Sequence, residues 1–294
     1  MNSEAPVDRL SALLKRSPVR AALFHSGPLC GLQKYDAGSG HGFLHVLRRG
    51  RMEVTHHGVA GIPEKLVLDE PSLLFYPRPL THHFHNPPRE GSDFTCAVLE
   101  FEGGADHPLA RSLPPFLHLR LAAVEGLEPA LALLFAETDR VRCGQRLLAD
   151  RLFEVVLIQL LRWLLDHPEE AGMQPGLIAG LSHARIARAL VALHEMPGGA
   201  WTLERLAECA GMSRTSFATV FKQVVGQTPA DYVTSCRIAL AQAGLREGRP
   251  VKWLAEQLGY ANPPALSRAF AAKVGLSPRE WLNRDRGDAG GQAG

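Results

Sequence analysis

Three histidines in the first hundred residues have side chains that could bind a divalent metal ion. His82 and His85 lie in the run HHFH, and His45 lies in an earlier apolar run that we expect to form a facing strand. Imidazole nitrogen is a common ligand for zinc, copper and iron. Successive residues of a strand point to opposite faces, so His83 and His85 would share one face and His82 would lie on the other. The candidate metal ligands are therefore His45, His82 and His85, with a packing or surface role as the alternative for each.

Two cysteines in the same region suggest a different chemistry, the oxidation of a thiol. Cys30 follows a Gly-Pro pair in a predicted loop, and His25 lies five residues upstream. A nearby imidazolium lowers the pKa of a thiol and raises the fraction of reactive thiolate. Cys96 lies in the apolar run DFTCAVLEF, which is also typical of a cysteine that only packs in a core. Cys30 and Cys96 are therefore candidate redox residues, and packing stays open for Cys96.

The C-terminal third contains an internal repeat. One copy contains LAECAGMS and the other contains LAEQLGYAN. In each copy a short helix is predicted to end at a glycine, Gly211 or Gly259, because glycine readily adopts the left-handed conformation that stops a helix. A polar residue, Ser213 or Asn262, then caps a second helix. This pattern predicts two helix-turn-helix motifs, joined by a helix over Pro229–Gly248.

The second helix of each motif is expected to bury one face and to present the opposite face outward. The outward face of such a helix is the one that enters the major groove of DNA. The candidate DNA-binding residues are Ser213, Arg214, Thr215, Ala218, Thr219 and Lys222 in the first motif and Asn262, Ser267, Arg268 and Lys273 in the second.

Different side chains in this set are expected to make different contacts. Arg268 is the best candidate for a bidentate contact to a guanine edge. Thr215 and Thr219 could contact a thymine methyl group or donate a hydrogen bond. Lys222 and Lys273 lie further along their helices and are expected to bind phosphates, which position a protein without reading sequence.

The distribution of charge supports a polyanionic partner. The chain of 294 residues has a net charge of only +2. Residues 181–286, however, contain fourteen Lys and Arg against eight Asp and Glu. Basic charge gathered in one region favours binding to nucleic acid, although a solvated basic surface would have the same composition.

The expected fold class is α+β, with an N-terminal β-barrel and packed helices followed by an all-α domain with two helix-turn-helix motifs. Short apolar runs broken by Gly and Pro predict strands up to about residue 104, and helical spacing predicts two helices from about 125 to 167. The predicted domains are 1–166 for the barrel, 167–180 for a linker, 181–286 for the helical domain and 287–294 for a disordered tail. The mouth of a barrel is also a usual site for a small organic ligand, which is a third candidate for what this region recognises.

Composition and the N-terminal sequence predict a cytoplasmic protein. Hydrophobic residues make up 46% and charged residues 21% of the chain, as in soluble globular proteins. No apolar run reaches the ~18 residues of a membrane span, and the N-terminus lacks the layout of a secretory signal. The five cysteines are scattered and form no CxxC pair, so we expect neither a disulfide framework nor structural zinc.

The C-terminal third resembles the AraC/XylS family of bacterial transcription regulators over about a hundred residues. The resemblance rests on the stretches WTLERLA, GMSR, LAE, SRAF and SP, on Gly226 and Pro229, and on Trp281. It implies a seven-helix domain that binds double-stranded promoter DNA with two recognition helices and often recruits RNA polymerase. The residues Pro263–Ala265 depart from the family, which usually has polar residues and an aromatic residue there.

The N-terminal region is similar to the cupin-type sensor domain found in many of these regulators. The resemblance rests on GFLHVL, on PSLLFYP, on His82 and on LPPFL, and it is closest to the branch that responds to reactive chlorine or electrophiles. Cys30 and Cys96 hold places comparable to the cysteines that matter in that branch. Cupin metal sites use an HxH pair with a glutamate in the first motif, whereas the corresponding segment here is His45-Val-Leu, which keeps one ligand.

Together these features predict a homodimeric, cytoplasmic transcription regulator, controlled by an oxidant or a small molecule sensed in the barrel. Activator is the expected class, but the sequence leaves activation and repression both open. The only candidate cofactor is a divalent metal in the barrel, and no other cofactor is expected. The alternative is a cupin-type metal enzyme with a helical accessory domain. The incomplete ligand motif argues against the enzyme.

Overall fold

The computed structural model describes residues 7–86, 91–101 and 107–290, with side chains described through residue 285. The chain divides into two compact units. The strand unit is Pro18–Gln174, and the helical unit joins the chain from Pro175 onward to the N-terminal segment that ends at Ser17. This mixture of an antiparallel β unit and an α unit confirms the predicted α+β class. No described helix combines the length and the apolar character that a bilayer span requires.

The elements of the chain up to residue 120 are mostly strands. In chain order they are α1 (Ser11–Arg16), β1 (Val19–Leu29), β2 (Gly31–Tyr35), β3 (Gly42–Arg49), β4 (Met52–His56), β5 (Lys65–Leu68), β6 (Ser72–Tyr76), β7 (His82–Asn86), β8 (Ser92–Phe101), α2 (Pro108–Ser112) and β9 (Leu117–Arg120).

The strands form two antiparallel sheets whose buried faces enclose a common core. The five-stranded sheet has the order β1-β8-β3-β6-β9, and the four-stranded sheet has the order β2-β7-β4-β5. Strands β4 and β7 alternate between buried and more exposed residues, as expected for strands with one face toward a core. Strand β6 and most of β3 are buried throughout, so both of their faces are covered.

Two helices complete the strand unit, as the sequence predicts between residues 125 and 167. They are α3 (Leu127–Thr138) and α4 (Gln145–Asp166), which pack on each other, and α4 also packs on β1. A bulge in β1 between Leu23 and His25 interrupts its pairing with β8. The carboxylate of Asp150 on α4 accepts a hydrogen bond of 2.7 Å from the amide of Leu23, so the helix satisfies a backbone group beside the bulge.

The helical unit contains two similar helix pairs joined by one long helix. Its elements after α1 are α5 (Leu177–Ser182), α6 (Ala184–Glu195), α7 (Leu203–Cys209), α8 (Arg214–Val225), α9 (Pro229–Arg246), α10 (Val251–Gln257), α11 (Pro263–Val274) and α12 (Pro278–Gly290). Helices α6–α12 match in number the seven that the resemblance implies. The pairs α7–α8 and α10–α11 are the two predicted helix-turn-helix motifs, and α9 is the predicted connecting helix.

Helix α1 belongs to the helical unit although the chain passes through the whole strand unit before it reaches the other helices. It packs on α6 with Leu13 buried, and the guanidinium of Arg16 donates a hydrogen bond of 2.8 Å to the carbonyl oxygen of Glu195. The sequence placed this segment in the barrel domain, residues 1–166. Its packing with the helical unit was therefore not predicted from local patterns.

Other boundaries also differ in detail from the predicted ranges. Helix α5 begins at Leu177, inside the predicted linker 167–180. Helix α12 continues to Gly290, so residues 287–290 of the predicted disordered tail are helical, whereas 291–294 lie outside the described residues. The division of the chain into functional domains stays a prediction.

Candidate functional site

The first helix-turn-helix motif is built by a tight glycine turn and a side-chain cap. Helix α7 begins at its cap Thr202, whose hydroxyl oxygen accepts a hydrogen bond of 3.2 Å from the amide of Arg205. Gly211 follows the helix with φ of +60°, a left-handed conformation that favours glycine. The hydroxyl oxygen of Ser213 then accepts a bond of 3.3 Å from the amide of Ser216 and starts α8. Ser213 therefore has a capping role in addition to its predicted contact with DNA.

The second motif repeats this construction with different residues. Gly259 has φ of +73°, and the side-chain oxygen of Asn262 accepts a hydrogen bond of 2.9 Å from the amide of Ala265. Pro263 occupies the first turn of α11, where no backbone donor is needed. Pro263 and Pro264 therefore suit the start of this helix, although they depart from the family pattern.

The buried face of each second helix is aromatic and aliphatic. Phe217 and Phe221 of α8, and Leu266 and Phe270 of α11, are each at most 1% exposed. This burial fixes which side of α8 and α11 faces outward, because residues four apart lie on the same face of a helix. Ala207 and Ala255, on the first helix of each motif, are also buried.

Of the predicted DNA-binding residues, Thr215, Ala218, Thr219, Lys222, Ser267 and Arg268 lie on the sides of α8 and α11 away from the buried residues. Arg214 and Lys273 are exposed at the ends of their helices but are spaced in register with the buried residues. Ala218 and Ser267 are half-buried, and the exposed members of the set are Ser213, Arg214, Thr215, Thr219 and Lys222 in the first motif and Asn262, Arg268 and Lys273 in the second. The structure therefore brings the six residues of the first motif together on one helix and the four of the second on another.

In addition to the caps Ser213 and Asn262, two of these side chains already have partners within the protein. The guanidinium of Arg214 donates a hydrogen bond of 2.9 Å to the carboxylate of Glu204 on α7, and this bond lowers the pKa of Glu204. The hydroxyl of Thr219 donates to the carbonyl oxygen of Thr215 at 3.0 Å. Thr219 therefore keeps its methyl group and its acceptor oxygen for an external contact.

A groove beside α8 adds Thr228, which was not predicted from the sequence, to the outward residues of that helix. Lys222, Gln223, Thr228 and Pro229 line it together with Ala218 and Thr219. Thr228 caps α9 by accepting a hydrogen bond of 3.2 Å from the amide of Asp231. The Thr-Pro pair at the start of a helical run was the available signal for this cap.

In the strand unit, Cys96 lies in a fully buried position at the middle of β8. His25 of β1 and His45 of β3 are its cross-strand neighbours, and its thiol lies near the hydroxyl of Tyr35. Burial raises the pKa of the Cys96 thiol far above its ordinary value, which keeps the thiol protonated and poorly nucleophilic in this form.

Cys30 is exposed between β1 and β2, far along the sheet from Cys96. Its neighbour Leu29 pairs with Ser92, and Cys96 lies four residues further along the same strand. At about 3.4 Å per residue this places Cys96 roughly 14 Å along the sheet from the end of β1 that Cys30 follows. A disulfide needs Cα atoms within about 7 Å, so the two thiols cannot join in this conformation.

Histidine and tyrosine rings fill the centre of the strand unit. His82 stacks on Tyr76, with ring centroids 3.9 Å apart, and on Tyr35 at 4.9 Å. Tyr76 and the imidazole of His56 share a hydrogen bond of 2.9 Å. Because packed rings occupy this centre, a small ligand would have to displace side chains to enter it.

The hydrogen bonds of the two central histidines define their tautomers. Nδ1 of His82 lies 2.7 Å from the carbonyl oxygen of Leu80 and must carry the proton that it donates. Nε2 of His82 is therefore the acceptor for Nε2–H of His45, at 3.0 Å. Nδ1 of His45 is left as a buried acceptor with no hydrogen-bond partner. Burial lowers the pKa of His82 to about 3 and that of His45 well below its ordinary value, so both rings are neutral.

The three predicted metal ligands do not converge. His45 and His82 meet in the core, but His85 lies on the outer face of β7, where its Nε2 is 3.0 Å from the hydroxyl oxygen of Thr55. Within the described residues no three His, Cys, Asp or Glu side chains form a metal-binding group. Two histidines bonded to each other, among aromatic rings and without a carboxylate, do not fit the donor set of a cupin metal centre.

Comparison with known proteins agrees with this architecture. A family model described as Cupin matches residues 8–166, and one described as Helix-turn-helix domain matches residues 206–284. Because the first model covers more than half of the chain, the chain belongs to the cupin family. It carries an AraC-type helix-turn-helix domain after the cupin domain.

Similar proteins are named as regulators. Two AraC-like regulators of Streptomyces antibioticus and Streptomyces lividans are 35% and 34% identical over 62% and 60% of this chain, which spans 60% and 59% of their own length. The RCS-specific HTH-type transcriptional activator RclR of Escherichia coli is 29% identical over 73% of this chain and 76% of its own length. The solved DNA-binding domain of AdpA in complex with a target DNA is 28% identical over 35% of this chain and 93% of its own, with a TM-score of 0.33.

Proposed function

We propose that this protein is a transcription regulator that binds promoter DNA through α8 and α11. The main observation in support is the pair of similarly built motifs, whose second helices bury an apolar face and expose basic and polar side chains. The net positive charge of residues 181–286 suits a polyanion. The names of the relatives and the AraC-type domain support a regulator rather than the cupin-type metal enzyme. Promoter DNA as the target also supports the expected cytoplasmic location.

The proposed contacts assign a different task to each motif. Arg268 of α11 reads a guanine edge, while Lys222 and Lys273 bind phosphates and set the position of the helices. Thr215 and Thr219 present small groups to base edges, so α8 would read fewer bases than α11. RNA polymerase is the proposed second partner, reached once the protein is placed on the promoter.

Selection of preferred sequences from a random DNA library, followed by affinity measurements at fixed salt, tests the proposed function. We expect a preferred site bound at least about 10³-fold more tightly than random duplex. Arg268→Ala should cost about 1–3 kcal/mol on that site and relax one base preference, whereas the matched variant Lys273→Ala should weaken all duplexes alike. Equal affinity for every sequence would instead indicate a non-specific DNA-binding protein.

The outward face of α4 supports the proposed homodimer. Leu148, Val155 and Ile158 are 49%, 43% and 36% exposed, and their spacing places them on one side of the helix. An exposed apolar stripe of this kind is typical of a helix that packs on a partner helix. Sedimentation should show a dimer for the wild-type chain and a shift to monomer for Val155→Glu, with Glu154→Gln as the control on the same helix.

For the sensed signal we propose oxidation that begins at the exposed Cys30. Hypochlorous acid would convert the Cys30 thiol to a sulfenic acid and release chloride, and Cys96 would become reachable only after the strand unit opens. Cys30→Ser should abolish the response of a reporter promoter to hypochlorite without changing DNA affinity. Cys143→Ser, which removes another exposed thiol, is the matched control. An unchanged response of Cys30→Ser would remove the oxidant proposal and leave a small organic effector as its replacement.

A further inference from the structure

Both helix-turn-helix motifs are fastened to the same connecting helix. Helices α7 and α8 of the first motif contact α9, and so do α10, α11 and α12 of the second. A connecting helix fixes the distance between its two ends, but each motif could still pivot about its own contacts with that helix. The separation of the recognition helices therefore depends on whether anything else joins the motifs.

Arg237, in the middle of α9, holds the loop that precedes the first motif. Its Nε donates a hydrogen bond of 2.8 Å to the carbonyl oxygen of Pro197, and its Nη2 donates one of 2.7 Å to that of Gly199. Hydrogen bonds from a charged donor at these lengths are among the stronger ones in proteins. The planar guanidinium thus fixes the path of this loop, because both carbonyl groups must point at the same side chain.

The same guanidinium reaches the turn of the second motif. Its central carbon lies 5.6 Å from the centre of the Tyr260 ring, within the range of a cation–π contact. Tyr260 directly follows Gly259, the glycine of that turn. Arg237 therefore contacts both the loop that precedes the first motif and the turn of the second motif.

The loop and the turn also touch each other through their backbones. A β-carbon on Gly259 would overlap the carbonyl oxygen of Gly198, and a β-carbon on Gly198 would overlap the carbonyl oxygen of Gln257. Such a close approach is open only to glycine. The loop that leads into the first motif and the turn of the second motif therefore meet directly, independently of the length of α9.

We propose that Arg237, together with the contact between Gly198 and Gly259, sets a single spacing between α8 and α11 of one chain. This spacing would fix the distance between the two DNA segments that α8 and α11 bind, which we call the half-sites. Arg237 acts as a positioning residue, since it works through the loop and the turn and not by touching a base. The inference rests on the proposed DNA-binding function. One base pair added between two half-sites moves them by about 3.4 Å and rotates them by roughly 35°, which a rigid pair of recognition helices cannot follow.

Arg246 offers a matched control on the same helix. It donates hydrogen bonds of 2.7 to 3.2 Å to the carboxylate of Asp285, and its guanidinium lies 4.8 Å from the centre of the Trp281 ring. Asp285 and Trp281 both belong to α12, so Arg246 joins α9 only to the second half of the helical unit. Arg246→Gln removes a similar number of contacts without disconnecting the two motifs.

The test uses the full chain and the operator found by selection, together with versions that carry one base pair more or less between the half-sites. Wild-type protein and Arg246→Gln should bind the altered operators at least about tenfold more weakly than the original, whereas Arg237→Gln should lose no more than about threefold. Arg237→Lys, which keeps the charge but not the two-pronged donor, should behave like Arg237→Gln and covers the case in which that variant does not fold.

The outcomes separate this inference from the proposed function. An unaltered tenfold penalty in folded Arg237→Gln or Arg237→Lys would overturn it, as would a wild-type protein that accepts all three spacings equally. A wild-type protein that selects no operator at all would overturn the proposed function first, and the inference with it.

Discussion

Acid should destabilise the strand unit through His82, because this residue is buried in its neutral form. Burial lowers the pKa of His82 to about 3, whereas the unfolded chain has the ordinary value of 6.5. Below pH 6.5, therefore, His82 becomes protonated in the unfolded state while it stays neutral in the folded state. The free energy of unfolding therefore has its full value above pH 6.5, and it decreases as the pH falls toward 3.

The expected size follows from the difference between the two pKa values. A gap of about 3.5 units corresponds to about 5 kcal/mol once the pH is below both values, at about 1.4 kcal/mol per unit. Between pH 7 and pH 5 the same linkage removes about 2 kcal/mol from the free energy of unfolding. This is a large share of the ~5–15 kcal/mol that stabilises a typical domain.

Urea unfolding of the full chain at pH 7 and pH 5, followed by near-ultraviolet circular dichroism of tyrosine, measures this effect. Tyr35 and Tyr76 stack on either side of His82, so their signal reports on the strand unit. His82→Gln should be less stable at pH 7, because it loses the stack and a bond to Leu80, but its stability should fall by about 2 kcal/mol less between the two pH values.

His85→Gln is the control on the same strand, since it makes the same substitution on the outer face of β7 and leaves the buried rings in place. Identical pH dependence of wild type and His82→Gln would refute the reasoning. It would mean that His82 is protonated in the folded protein without a penalty, or that water reaches it in the core.

Three further predictions concern the helical unit. Glu204→Gln should free Arg214 for phosphate and raise affinity for DNA in low salt, with a steeper salt dependence in a fluorescence titration; equal slopes would show that Arg214 does not reach the DNA. Leu13→Ala should lower the free energy of unfolding by about 2–5 kcal/mol in far-ultraviolet circular dichroism, because Leu13 is 2% exposed where α1 packs on α6. Gly259→Ala should weaken operator binding, since its β-carbon has no room beside Gly198, while the neighbouring Ala261→Ser should leave binding unchanged in the same assay.

Local patterns were sufficient to predict the helix-turn-helix motifs. Each depends on residues within one or two turns of one another, such as the cap Ser213 with Ser216 and the buried pair Phe217 and Phe221. These relations have the period of a helix, so they are legible in the sequence before any long-range contact is known.

The placement of the histidines was only partly predictable. Strand alternation correctly separated His82 from His83 and His85, and so it already weakened the proposed ligand set with His85. Which face of β7 turns inward, however, depends on its pairing with β2 and β4, which are far away in the sequence. The hydrogen bond between His45 and His82 therefore could not be derived from spacing.

What the sequence determined by itself was thus the class of each element and the outward chemistry of α8 and α11, because helix periods, caps and turn glycines are local. Only the tertiary structure decided that α1 joins the helical unit, that Cys96 is sealed beside Tyr35, and that Arg237 bridges the two motifs. The physical reason is that burial, pKa and bridging contacts depend on which distant segments meet. Which segments come into contact depends on the packing of the whole chain, so it cannot be inferred from the sequence of any one segment.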